Sequence, residues 1–288
     1  MNNPLNQNIA IVFNLKAGKG KSLHVFQSVK SKLEKLNIAY TELDLTKTNS
    51  IDSKFSDLLV IGGDGTMNYT LNHFKTIDIP ITLIAAGSGN DFAKMLYGKS
   101  SLDEMISKLL GNNITKIDAG ICNEKYFING VGAGFDALVA KKLLHKKFLS
   151  GHFAYLAAVI QLLFSYKSLN VEIVSDELNY KGKMFMICIA NSKTEGGGFM
   201  VAPDAKLDDG FFDAVLVKPI SILTRLMHLP TIEKGKHLGL SFINYKKIKA
   251  KINKITITTT VATNLRLFCS NNFQLNGLKV TVLICVSL

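Results

Sequence analysis

A chain of 288 residues exceeds the usual size of one hydrophobic core, so two domains are expected. Its four cysteines, Cys122, Cys188, Cys269 and Cys285, form no C-x-x-C pair, which argues against a structural zinc site and a disulfide framework and fits a reducing, cytoplasmic compartment. Thirty-four Lys and Arg against 22 Asp and Glu leave a net charge of +12, a surplus that suits anionic lipid, nucleic acid or a phosphorylated ligand without choosing among them.

The opening "MNNPLNQNIAIVF" lacks the basic start and full apolar stretch of a signal peptide. "NIAIVFN" (8–14) reads as a buried strand, "LKAGKG" (15–20) as a loop, and "SLHVFQSVKSKLEKL" (22–36) as a helix with Ser22 as its N-cap. "IAYTELDL" (38–45), "DLLVIGG" (57–63) and "IPITLIAAG" (79–87) read as three further strands, and helices follow the last two. Strands alternating with helices at short intervals predict a parallel α/β sheet over residues 1–115. Ligands of such sheets bind at the carboxyl ends of the strands, so the turns at 14–20, 62–66 and 87–91 are expected to converge on one site.

Past residue 115 the pattern changes. Short strands and turns run through "TKIDAGICNEKYFINGVGAGFDA", a long amphipathic helical stretch covers about 137–165, and "LNVEIVSD", "GKMFMICIAN", "GFFDAVLVK", "KITITTT" and "KVTVLICV" all read as strands. Residues 116–288 are therefore expected to form a second domain, mostly antiparallel β-sandwich, with a helical insertion near 220–245. The longest apolar run, "FAYLAAVIQLLF" (153–164), would extend only about 18 Å as a helix, against roughly 30 Å of bilayer core.

Three turns carry candidate chemistry. In "GGDGTMN" the glycines allow close backbone approach to a ligand, Thr66 can cap the next helix or hold a phosphate oxygen, and Asp64 can orient a hydroxyl or a metal-bound water. The ordinary alternative is a strand-to-helix turn with an Asx-type cap. "NLKAGKG" offers the Asn14 side chain and glycine N–H groups, with Lys16, Lys19 and Lys21 adding positive charge. "AAGSGNDFA" supplies Ser88, with Asn90 and Asp91 where a helix begins. Farther on, Asp136 is either a cap for the long helix or a polar group at the mouth of the cleft, and "KKLLHKKF" (141–148) is either a membrane-facing basic helix or a solvated lysine face. "KLDDGFFD" gathers Asp208, Asp209 and Asp213 around a glycine, an oxygen-rich pattern for Mg²⁺ or Ca²⁺ or an acidic hairpin turn.

In their order, "GGDGTMN", "GSGNDFA", "FINGVGAGFDA" and "GGGFMVAPDAKLDDGFFD" resemble the diacylglycerol kinase catalytic superfamily, nearest the bacterial soluble lipid kinases and their sphingosine kinase relatives. The resemblance implies an α/β nucleotide-binding domain followed by a β-sandwich, and transfer of the γ-phosphoryl group of ATP to a lipid hydroxyl, most simply diacylglycerol to phosphatidic acid. It places ATP contacts on Asn14, Lys16, Ala17, Gly18, Thr46, Gly62, Gly63, Asp64, Gly65, Thr66, Asn68 and Ser88. It assigns catalysis to Asp64 and Asp91, and a structural Mg²⁺ to the Asp209 side chain with the carbonyls of Lys206 and Phe211. It also implies a lipid substrate met at the membrane surface by peripheral contact, with a homodimer left open and no nucleic-acid module. "GGDGT" is shared with NAD kinases, but the Asn-Glu motif those enzymes need on the next glycine turn is absent.

One position departs. The family closes its site with Asp-Gly-Glu, the Glu serving as general base, whereas this chain reads Asn276, Gly277, Leu278. Leucine accepts no proton. Two readings follow, an active kinase with a replaced or dispensable base, and a catalytically impaired relative that binds nucleotide or lipid as a regulator.

Overall fold

The computed structural model describes residues 7–74, 76–111, 114–144, 152–175, 177–249, 252–258, 272–276 and 282–285. In chain order the first elements are β1 (Asn8–Phe13), α1 (Lys21–Lys35), β2 (Ala39–Glu42), β3 (Asp57–Gly62), α2 (Asp64–His73), β4 (Ile81–Ala85), α3 (Asp91–Tyr97), α4 (Leu102–Leu110) and β5 (Ile114–Ile117). There follow β6 (Gly120–Cys122), β7 (Lys125–Phe127), β8 (Gly130–Gly134), α5 (Phe135–Leu144), α6 (His152–Ser165), β9 (Leu169–Ser175), β10 (Tyr180–Met184) and β11 (Met186–Ala190). The chain closes with β12 (Phe212–Val217), α7 (Ile222–Glu233), β13 (Ile243–Ile248), β14 (Ile252–Thr258), β15 (Asn272–Asn276) and β16 (Val282–Cys285). Two compact units result, residues 1–117 with 281–288, and residues 118–280.

The first unit holds a six-stranded sheet in the order β2-β1-β3-β4-β16-β5. Strands β2, β1, β3 and β4 run parallel, and every residue of β3 is buried, as a central strand covered on both faces requires. Helix α1 lays Phe26, Val29 and Leu33 against this sheet, and Phe26 stacks on Phe13 of β1 at 4.0 Å between ring centroids. Ser22 is not its N-cap: Gly20 takes that position in a left-handed conformation, and Ser22 is buried one step inside, donating to the carbonyl of Asn14 at 2.5 Å. Strand β2 lies on one side of β1 and β3 on the other, so the chain reverses its direction of winding at β1. This is the topological switch point, where a crevice opens outside the strand ends.

The last strand departs from the sequence reading. "KVTVLICV" was expected in the second domain, yet β16 pairs parallel with β4 and antiparallel with β5 inside the first sheet. Its β-branched apolar run fits a buried position in either sheet, and local pattern carries no information on which partner it finds.

The second unit holds two antiparallel sheets, β10-β9-β14-β15-β6-β7 and β13-β12-β11-β8. Its core combines β11 and β12 with residues of α5 and α6. Phe135 stacks on Phe185 at 4.7 Å, and Tyr166 stands edge-on to both. The expected helical stretch at 137–165 is described as α5 and α6; of "KKLLHKKF", residues 141–144 end α5 and 145–148 lie outside the described residues. No helix among the described residues is long and apolar enough to cross a membrane.

Candidate functional site

The carboxyl ends of β1, β3 and β4 lie side by side in the first sheet, and each continues into one of the three turns. The turns touch. After β1, Asn14 sends its amide Nδ2 to Thr66 Oγ1 at 3.4 Å, while its Oδ1 accepts the N–H of Lys16 at 3.0 Å. Residues Gly18, Lys19 and Gly20 follow with φ of 58°, 58° and 93°. A Cβ on Gly18 would stand 2.3 Å from the carbonyl oxygen of Ala86, so only glycine lets the first turn close against the third. Gly63 and Gly87 meet backbone to backbone, with a Cβ on Gly87 falling 2.5 Å from the Gly63 Cα. The N–H of Ala86 also bonds to the carbonyl of Gly62 at 2.7 Å.

Asp64 is the first residue of α2, and its side chain crosses to the start of α3. Oδ2 accepts the N–H of Asp91 at 3.1 Å and Oδ1 that of Phe92 at 2.8 Å. These are orphan donors of a helix first turn, and a carboxylate is the group best suited to them. The negative charge thus sits between two helix N-termini, which offset its repulsion toward a phosphate. Asp91 is buried, and Lys94 stands 3.8 Å from its Oδ1. Asn90, in the left-handed region, locks the third turn by giving Nδ2 to the carbonyl of Gly87 at 3.0 Å and accepting the Gly87 N–H at 2.8 Å.

Most of the expected nucleotide-contacting residues therefore sit in one cluster: Asn14, Lys16, Ala17 and Gly18 on the first turn, Gly62, Gly63, Asp64, Gly65 and Thr66 on the second, with Asn68 one helical turn on and exposed Ser88 on the third. Thr46 lies on the turn that follows β2. Its N–H and hydroxyl both go to Asp44 Oδ1, at 2.9 and 2.6 Å, closing a local turn beyond β2 and holding the Asp44 carboxyl below its usual range.

The residues proposed for a structural metal, Lys206, Asp209 and Phe211, share one turn. The Asp209 carboxylate is engaged on both oxygens: Oδ1 accepts the N–H of Phe211 at 3.0 Å and Oδ2 the ammonium of Lys247 at 2.7 Å. A divalent ion bound to Asp209 would sit beside that ammonium, so the turn as built does not fit one, and no group of three or more His, Cys, Asp or Glu poised for a metal occurs among the described residues. Gly277 and Leu278 lie outside the described residues, and Asn276 ends β15.

A second polar cluster lies inside the second unit. Asp136 begins α5 with its carboxyl against β8, where a Cβ on Gly132 would collide with Oδ2, and its Oδ1 has no hydrogen-bond partner. Burial, reinforced by Glu195, pushes its pKa up to about 8. Cys188 of β11 donates to Glu195 Oε1 at 3.5 Å, and burial raises this thiol as well. Asn191 is fully buried, with Nδ2 donating to the carbonyls of Asp118 at 2.7 Å and Ile128 at 2.9 Å. Sequence reading missed this anchor, since an asparagine at a strand end carries no sign of partners more than 60 residues away.

Known proteins resemble this chain in sequence and in fold. Residues 8–122 match the diacylglycerol kinase catalytic domain, and residues 129–263 match the YegS C-terminal NAD kinase beta sandwich-like domain. A diacylglycerol kinase of Staphylococcus saprophyticus is 27% identical over 83% of this chain and 82% of its own length. Another from Staphylococcus epidermidis is 29% identical over 83% and 79%. Among solved structures, a diacylglycerol kinase from Bacillus anthracis superposes with a TM-score of 0.71 at 20% identity over 99% of both chains. An NAD kinase from Archaeoglobus fulgidus in complex with ATP superposes with a TM-score of 0.51 at 12% identity, over 97% of this chain and 93% of that one. Two matched domains in family order, over a sheet whose three glycine turns meet at its switch point, place this chain in the diacylglycerol kinase catalytic superfamily.

Proposed function

We propose that the protein transfers the γ-phosphoryl group of ATP, taken up as Mg²⁺·ATP, to a lipid hydroxyl, converting diacylglycerol to phosphatidic acid. The observation that carries this reading is the mutual contact of the three turns, Asn14 to Thr66, Gly18 to Ala86 and Gly63 to Gly87. Backbone N–H groups of glycine turns at a sheet's switch point suit a polyphosphate. Lys16, Lys19 and Lys21 add positive charge beside them. Asp64 and Asp91 form the acidic side of the site, where they would act through the nucleotide's own Mg²⁺ and the incoming hydroxyl.

Phosphoryl transfer depends chiefly on positioning and charge stabilisation, whereas a general base contributes typically about 10²–10⁴-fold. Leu278 in place of Glu is therefore compatible with a slow kinase, and it equally supports the second reading, a nucleotide- or lipid-binding regulator. Contact with a bilayer, which a lipid kinase needs, is supported by α7: none of its residues is buried, and Ile222, Leu223, Leu226 and Met227 are exposed. Exposed Lys218, Lys234 and Lys236 flank it, the arrangement of a helix lying on an anionic surface.

The test supplies labelled Mg²⁺·ATP and mixed vesicles containing diacylglycerol to the native chain and to the double variant Asn276→Asp, Leu278→Glu. Label in lipid from the native chain, increased by the double change, is the expected result. Label from the variant alone supports the regulator reading, and no label from either contradicts lipid phosphorylation.

A further inference from the structure

The turn at 206–211 is where the family resemblance implies a bound Mg²⁺. Strands β12 and β13 pair antiparallel, with Asp213 directly opposite Lys247. Asp213 is fully buried, and a buried carboxylate is costly unless its charge is met. Its Oδ1 accepts the hydroxyl of Tyr245 at 2.5 Å, a short charge-assisted bond. Its Oδ2 accepts no hydrogen bond and faces the Lys247 ammonium at 3.9 Å.

The same ammonium reaches a second carboxylate. Lys247 Nζ lies 2.7 Å from Asp209 Oδ2, on the turn that leads into β12. That turn is fastened at other points: Asp209 Oδ1 closes it onto the Phe211 N–H, Gly210 passes through the left-handed region at φ 74°, and the Gly210 N–H donates to Asp118 Oδ2 at 2.6 Å. The N–H of Asp118 in turn donates to the carbonyl of Leu207 at 2.6 Å. Without a cation between them, the Asp209 and Asp213 carboxylates would repel across this fastening. Lys247 supplies one from the neighbouring strand, with its side chain 34% exposed so that part of its hydration is kept.

We propose that the Lys247 ammonium is the resident cation of this turn, doing the work that a bound Mg²⁺ would otherwise do. It joins turn to strand by bridging Asp209 and Asp213. A divalent ion and an ammonium cannot share Asp209 without like-charge repulsion, so the turn is built to stand without divalent metal. The bridge forms within the second unit and stands whether or not the chain phosphorylates lipid.

Thermal melting of the nucleotide-free full chain tests it. The native protein is expected to melt at one temperature in excess EDTA and in millimolar MgCl₂ or CaCl₂. Lys247→Ala is expected to melt several degrees lower in EDTA and to recover as Mg²⁺ or Ca²⁺ saturates the vacated position. Lys247→Arg, which keeps the charge, should stay insensitive to both ions. A native melting temperature that rises saturably with Mg²⁺, with the rise abolished by Asp209→Asn, would overturn the proposal. So would a Lys247→Ala protein that melts like the native one, or one that melts lower and ignores both ions. Should Lys247→Ala fail to fold, Mn²⁺ binding to the native chain followed by electron paramagnetic resonance decides. No bound Mn²⁺ that depends on Asp209 supports the ammonium, and bound Mn²⁺ that Asp209→Asn removes contradicts it.

Discussion

Asp64 shows what a single residue's sequence context reveals and what it conceals. Its place after an apolar strand and a pair of glycines let it be read as part of a ligand-facing turn. Its bonds to the N–H groups of Asp91 and Phe92 were not legible, because they join residues 27 and 28 positions away. The same holds for Lys247, whose meaning depends on the register that sets it opposite Asp213. Asp136 was legible as a helix cap or a polar group at the mouth of a cleft, and its burial was not. Its folded-state pKa of about 8 stands above the ordinary 3.8, so the stability linked to it is complete below about pH 4 and is lost as pH rises toward about 8. Asp136→Asn cannot ionise. It is expected to melt higher than the native chain at pH 8, with the difference shrinking to nothing near pH 4. A difference that grows in the native chain's favour as pH rises would contradict the neutral, buried state.

At the scale of elements, the parallel strands β1, β3 and β4 were legible from their apolar runs, and the turns after them from glycine and asparagine. The convergence of those turns followed from the rule for ligands of parallel sheets, and the contacts among Gly18, Gly63, Gly87 and Ala86 carry it out. The placement of β16 was not legible, because an apolar strand states its burial and not its neighbour. Helix α7 was anticipated only as a helical insertion. Its apolar face could not be read as uncovered until its neighbours were known, and a helix with none of its own residues buried holds its place through contacts such as Arg225 Nη1 to the carbonyl of Leu163 at 2.6 Å. Leu223→Ser with Met227→Ser removes two side chains that are 68% and 66% exposed, so melting should be unchanged. Binding to anionic vesicles should weaken on the order of tenfold or more. Undiminished vesicle binding would show that this face does not meet the bilayer.

For the whole molecule, the order of the two matched domains was within reach of the sequence, since glycine turns, apolar strands and the acidic "KLDDGFFD" segment are spaced along nearly all of its length. What local pattern could not supply was closure: the C-terminal strand returns to the first unit, and the second unit is a continuous insertion between residues 117 and 281. The proposed phosphoryl transfer requires the three turns to act as one nucleotide site. Calorimetric titration of Mg²⁺·ATP into the native chain and into Gly87→Ala tests this most directly, because the added Cβ would fall 2.5 Å from the Gly63 Cα and part the second turn from the third. The native chain should bind one nucleotide, and the variant should bind at least about tenfold more weakly, a loss of about 1.4 kcal/mol or more. No binding by the native chain, or equal binding by both, would contradict the site.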